Sequence, residues 1–153
     1  FDIAGFGVDA VGGAVDWANR HSIGNFCHAD GRNLSWIPAE SFDHVITYAA
    51  LYLLPKIEQC KTGIQLLEKL RVGGRAFFGW NRVNVMSNLD WRMCLEFGIV
   101  QVEPASTEQV PLAVKVKIEE LEDGYLFSPN LNLAQDFYLY RYPAYSLILT
   151  RVA

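Results

Sequence analysis

The sequence predicts an α/β fold: a doubly wound, mostly parallel sheet. Three observations carry that prediction. Apolar runs of strand character alternate with stretches of helical period through the first two thirds of the chain. The run at 42–51 is apolar almost without interruption, as in a strand covered on both faces. Glycine or Asp-Gly pairs punctuate several of the runs, and open sheets of this class bind ligands in loops at the carboxyl ends of their strands.

Taken in order, Gly5 to Ala10 reads as the end of a buried strand running into a loop. Val11, Ala14, Val15 and Ala18 then share one helical face, and Gly24 is expected just past the end of that helix. Residues 25–29 form a short strand closed by Asp30-Gly31. No helix is recognised between this strand and the next, although the 33–41 loop has room for a short one. After the 42–51 strand, Pro55 suits the first turn of a helix. Ile57, Cys60, Ile64, Leu67 and Leu70 give that helix its buried stripe, and Gly73-Gly74 is expected to stop it. Residues 75–80 are the following strand. Asn88 or Asp90 is expected to cap a helix over 91–97 that Gly98 ends. In the tail, Val110, Leu112, Val114 and Val116 alternate with polar residues, a half-exposed strand pattern. Residues 136–142 are dense in aromatics, and 144–152 form a last β-rich run. Without repeats or linkers, 1–153 is expected to be one domain.

With 51% hydrophobic and 20% charged residues, the composition is that of an ordinary soluble protein. Thirteen basic against 17 acidic residues give a net charge of -4, and no basic cluster is present, which argues against a nucleic-acid partner. The acidic run at 119–123 reads as a solvated turn. Cys27, Cys60 and Cys94 are widely spaced, do not suggest a metal site, and are expected to be reduced, buried thiols of a cytoplasmic protein. No apolar run reaches about 18 residues, so no membrane span is expected, and no signal peptide is seen.

Two acids carry the candidate chemistry. Asp9 ends the first strand and precedes a helix, where a carboxylate either accepts from vicinal ribose hydroxyls or caps the helix. Asp30 ends the next strand. It can accept from an adenine amino group while the Gly31 N–H donates to a ring nitrogen, or it can simply belong to an Asp-Gly turn. Together the pair describes an adenosine site.

The carrying segments are Gly7-Val-Asp-Ala10, the helix ending Asp16-Trp-Ala-Asn-Arg20, Cys27-His-Ala-Asp-Gly-Arg-Asn-Leu34, Ser41-Phe-Asp-His-Val-Ile-Thr-Tyr-Ala-Ala-Leu51, and Leu66-Leu-Glu-Lys-Leu-Arg-Val-Gly-Gly-Arg75. In that order and spacing, the chain from Gly5 to about Trp80 resembles the class I S-adenosylmethionine-dependent methyltransferases, particularly those acting on small molecules. The resemblance implies a Rossmann-like sheet whose last strand, from Tyr145, inserts antiparallel. It implies that Asp9, Ala10, Asp30, Gly31 and Arg32 contact S-adenosylmethionine, and that Tyr48 lines the methyl-donor channel. The family's first strand and Gly-rich loop belong ahead of Asp9, where only eight residues stand, so that first unit is expected to be missing and the sheet edge beside it exposed.

Methyl transfer needs donor and nucleophile held in line, so an acceptor pocket matters more than a dedicated base. Tyr52, Trp80 and Asn81 are the candidates to line it, with the tail aromatics Phe137, Tyr138, Tyr140 and Tyr142 reading either as pocket or as core. None of His21, His28 and His44 is nominated as a base. Two other functions fit some of the same residues. A nicotinamide-dependent oxidoreductase shares the ribose acid, and Tyr52-Leu-Leu-Pro-Lys56 has the Tyr-x-x-x-Lys spacing, but Pro55 interrupts the helix that motif needs. A non-catalytic interaction subunit with a methyltransferase-like fold is the third.

Overall fold

The computed structural model describes residues 4–48, 50–80, 86–121 and 145–153. The elements are β1 (Phe6–Asp9), α1 (Gly12–His21), β2 (Asn25–His28), β3 (Phe42–Tyr48), a 3-10 turn (Leu51–Leu53), α2 (Lys56–Glu68), β4 (Leu70–Trp80), α3 (Asn88–Phe97), β5 (Ile99–Glu103), β6 (Ser106–Gln109), β7 (Val116–Leu121) and β8 (Tyr145–Arg151). The result is a mixed α/β architecture in two compact units, Phe1–Trp36 and Ile37–Ala153.

In the first unit β1 and β2 pair in parallel, with Phe6 opposite Asn25 and Asp9 opposite His28. Helix α1 makes the crossover. Its Asn19 side chain bridges to β2, donating to the Phe26 carbonyl and accepting from the Phe26 N–H, both at 2.9 Å. Gly7 is needed because the Phe26 ring lies over it, with ring carbon 2.5 Å from where a Cβ would stand. Of the predicted apolar face of α1, only Val15 is buried, while Val11 and Ala14 are exposed. The helix ends at His21 with Ser22 as its cap, earlier than Gly24 suggested. Gly24 instead takes φ +146 beside Gly5, where a Cβ would stand 2.9 Å from the Gly5 carbonyl oxygen. The 33–41 loop is made of turns and bends, without a helix.

In the second unit the sheet order is β3-β4-β8-β7. Strands β3 and β4 are parallel, and β8 runs antiparallel to both β4 and β7, as expected of the last strand. The core gathers Cys60, Ile64 and Leu67 of α2, Trp91, Cys94 and Leu95 of α3, Leu70, Ala76 and Phe78 of β4, and Leu147 and Leu149 of β8. Gly63 lets Trp91 pack close, with a Trp91 ring atom 2.7 Å from a Cβ built there, and Trp91 meets Phe78 edge to face at 5.4 Å. Ser87 caps α3 through a reciprocal capping box with Asp90, so the cap lies one residue before Asn88 and three before Asp90, the two proposed, and Gly98 (φ 65) ends the helix as expected.

Several expectations fail here for reasons of long-range packing. Gly73-Gly74 do not stop α2, which ends at Glu68. They lie inside β4, where Gly73 has φ +82 and the β3–β4 register shifts between Phe42 and His44. Leu70 is buried as a strand residue rather than a helical one. Strand β3 is shorter than its apolar run and is not covered on both faces, since Ile46 is 75% exposed. The alternating 110–115 segment forms no strand, because β7 starts only at Val116. The acidic run begins in β7 rather than in a turn, and Lys117 pairs with Glu119 at 2.7 Å, holding that carboxyl below its usual range. The aromatic stretch 136–142 lies outside the described residues.

The cysteines differ most. Cys60 and Cys94 form a disulfide between α2 and α3, with Cα atoms 5.9 Å apart, and Cys27 alone keeps its thiol. Spacing in sequence carried no sign of it, because the two helices bring the pair together only in the folded unit. The expected cytoplasmic setting rested on reduced thiols and loses that support. Among the described residues, no helix is long and apolar enough to cross a membrane.

Candidate functional site

The first unit sets two carboxylates at the same end of a parallel pair. Asp9 is the last residue of β1, and Asp30 lies two positions beyond the end of β2. Because Asp9 is level with His28, both acids sit at the carboxyl edge of the strands, where crossover loops leave room for a ligand.

Val11, with no side-chain bond, is the N-cap of α1, so the capping role expected as one alternative is not the one Asp9 plays. Its Oδ1 accepts from the Val11 N–H at 2.7 Å, closing the loop into α1. A carboxylate has about four acceptor positions, so the role of loop closure does not preclude the role of ribose acceptor. His28, set aside as a base, braces this loop instead. Its Nε2 is 3.0 Å from the Ala10 carbonyl oxygen, and its ring faces Gly12, where a Cβ would come within 3.4 Å. The signal for it was the strand register, which sequence alone did not supply.

Asp30 is held by its own neighbour. Oδ1 accepts from the Arg32 backbone N–H at 2.9 Å and from Nε at 3.0 Å. Oδ2 accepts from Nε at 2.9 Å and from Nη2 at 2.6 Å. These bonds, with the guanidinium charge, pull the Asp30 pKa from 3.8 to about 2. Both side chains remain more than half exposed. The Asn33 N–H donates to the Asp30 carbonyl at 3.1 Å and completes the turn. A Cβ added at Gly31 would meet nothing within 4 Å, so its backbone is open to the approach of a flat ring. The chemistry of this set fits an adenosine group: carboxylates for hydroxyl and amino donors, with the Gly31 peptide next to Asp30.

The sequence matches no protein-family model and no curated protein. Solved structures do match. A TehB-like SAM-dependent methyltransferase from Corynebacterium glutamicum aligns with TM-score 0.64 and 13% identity, over 95% of this chain and 67% of that one. The N-methyltransferase NodS from Bradyrhizobium japonicum, in complex with S-adenosyl-L-homocysteine, aligns with TM-score 0.56 and 16% identity, over 97% and 66%. An rRNA methylase from Streptococcus thermophilus aligns with TM-score 0.57 and 12% identity, over 97% and 73%. The fold is that of the class I S-adenosylmethionine-dependent methyltransferases. At such identities the likeness of this methyltransferase fold concerns the path of the chain rather than its chemistry.

The remaining candidates belong to the second unit. Tyr48 ends β3 level with Gly79 of β4, and Trp80 follows at the end of β4 opposite Tyr145. Tyr48 and Trp80 thus share the carboxyl edge of a parallel pair, and Tyr52 lies in the 3-10 turn after β3. Asn81, Phe137, Tyr138, Tyr140 and Tyr142 lie outside the described residues. The Tyr52/Lys56 spacing does not place both on one helix: Tyr52 is in the 3-10 turn, Pro55 precedes α2, and the Lys56 ammonium pairs with Asp90 at 3.3 Å. Among the described residues, no group of three His, Cys, Asp or Glu side chains is arranged to hold a metal.

Proposed function

We propose that the chain is an S-adenosylmethionine-dependent methyltransferase domain acting on a small-molecule acceptor, with its strands doubly wound. The observation that carries this is the pair of carboxylates, Asp9 and Asp30, at the carboxyl ends of adjacent parallel strands in a methyltransferase fold. In this reading Asp9 takes the ribose hydroxyls, Asp30 takes the adenine amino group, and the Gly31 N–H donates to the ring, with Ala10 and Arg32 beside them. Tyr48 is assigned to the donor channel, and Tyr52, Trp80 and Asn81 to the acceptor pocket. The cofactor supplies an electrophilic methyl group on sulfur, and the protein orients it and excludes water. The net charge of -4 and the lack of a basic cluster in the sequence favour a small acceptor over nucleic acid.

Titration calorimetry of S-adenosylhomocysteine into the chain and into its Asp9→Asn and Asp30→Asn variants tests the cofactor. Each variant removes a charged acceptor and is expected to weaken binding about tenfold or more. Absence of binding by a folded wild-type chain would overturn the reading, and NAD is then the ligand to titrate. Methyl transfer to small amines and phenols but not to RNA supports the acceptor class.

A further inference from the structure

We propose that His28 is a positioning residue for the ribose subsite: it fixes the peptide group that aims the Asp9 carboxylate. The inference rests on the cofactor reading above. It starts from two bonds that meet on one peptide. His28 Nε2 stands 3.0 Å from the Ala10 carbonyl oxygen, and Asp9 Oδ1 accepts from the Val11 N–H at 2.7 Å. That carbonyl and that N–H belong to the same trans peptide, so they lie in one rigid plane and point opposite ways. A carbonyl oxygen only accepts, so Nε2 carries the proton. The last residue of β2 thus grips one side of the plane, and Asp9 grips the other.

The flanking peptide groups are held by backbone alone. The Asp9 carbonyl accepts from the Ala29 N–H at 3.0 Å, and the Val11 carbonyl accepts from the Ala14 and Val15 N–H groups at 2.9 and 3.1 Å. The plane between them can therefore turn without disturbing the strand end or the helix start. His28 restrains that turn from the side opposite Asp9. Without His28, the Val11 N–H can swing off Oδ1. Asp9 then loses the bond that orients its remaining acceptor positions, and a ribose must select the aimed form from a broader set. Donation to the carbonyl also polarises the peptide and strengthens the Val11 N–H as a donor to the carboxylate. His28 and Asp9 are both exposed, so losing this bond should cost the fold little. The effect should fall on one part of the ligand, its hydroxyls.

The test compares S-adenosylhomocysteine with its 2′,3′-dideoxy analogue by calorimetry, with thermal melts to confirm folding. The proteins are wild type, His28→Ala, His28→Asn, His28→Gln, and Asp9→Ala with and without His28→Ala. His28→Ala is expected to weaken S-adenosylhomocysteine about two- to tenfold and to leave the dideoxy analogue unchanged. A Gln amide nitrogen stands near the place of Nε2, whereas that of Asn falls short of it. His28→Gln should therefore restore affinity and His28→Asn should not, and this matched pair decides the question should His28→Ala fail to fold. In the Asp9→Ala background, His28→Ala should cost nothing further. Equal losses for both ligands, no loss in His28→Ala and His28→Asn, or a full loss persisting without Asp9 would overturn the role of His28 and leave the cofactor reading standing. Failure of the folded wild type to bind S-adenosylhomocysteine would overturn the cofactor reading, and this inference with it.

Discussion

The two units of the chain are held together by different forces. Among the described residues of Phe1–Trp36 the buried apolar side chains are Val15 and Leu34, and polar links do much of the fastening: Asn19 to Phe26, Asp9 to Val11, His28 to Ala10, Arg32 to Asp30. In Ile37–Ala153 one continuous core of aliphatic and aromatic side chains is buried between helices and sheet, and a disulfide ties the two helices that cover it. Apolar burial makes a unit costly to deform, whereas exposed hydrogen bonds exchange readily with water. The carboxylates proposed to read the nucleoside therefore stand on the unit with little apolar burial, whereas Tyr48 and Trp80 end strands of the unit built on the larger core.

Truncating the core is the strongest way to break this contrast. Trp91→Ala empties a fully buried site against Phe78 and Gly63 and is expected to destabilise the second unit by about 3–5 kcal/mol, measured by denaturant unfolding. If the loss were under about 1 kcal/mol, the second unit would not be the rigid partner. Next is the disulfide: Cys60→Ala with Cys94→Ala frees a loop of separation 34 and is expected to cost about 2–4 kcal/mol, with a matching fall in melting temperature. Asn19→Ala removes two hydrogen bonds from the first unit and should cost about 1–2 kcal/mol. Hydrogen exchange sharpens the contrast here, because faster exchange should be confined to β1, α1 and β2 while amides of α2 and β4 keep their protection. The smallest effect is the titration of Asp30. Its carboxyl is expected to titrate near 2 by NMR and to return toward 3.8 in Arg32→Ala. Since the folded pKa is the lower one, the pair's contribution is present above pH 3.8 and fades as pH falls toward 2, so between pH 5 and 8 the variant should melt slightly below the wild type, by the small margin of an exposed pair, and the two should converge as pH falls toward 2.

Much of the architecture was legible because its signals are local. Strands β1 and β2, the helix stop at Gly98 and the antiparallel β8 follow from apolar patterning, glycine conformation or family order, and each occurs close to where the sequence put it. What failed depends on partners distant in sequence. Gly73-Gly74 look like a helix stop until β3 is alongside to receive the bulge, and Cys60 and Cys94 look like two lone thiols until α2 meets α3. At the candidate site the positions of Asp9 and Asp30 were readable, since strand ends are. The occupation of Asp30 by Arg32 was not, because it is set by the side-chain geometry of one turn rather than by residue type.

The Asn19 bridge has a consequence for how this protein meets copies of itself. Phe26 sits on a strand paired with β1 along one side, and its N–H and C=O on the other side are bound by the Asn19 amide. Those are the groups an incoming chain would seize to begin a shared sheet. A side-chain amide carries the same donor and acceptor as a peptide but has no next residue to offer, so it ends the ladder after one rung. Asn19 is in that sense a chain terminator for self-assembly: the crowded, concentrated conditions that drive strand addition find the first rung of β2 already taken.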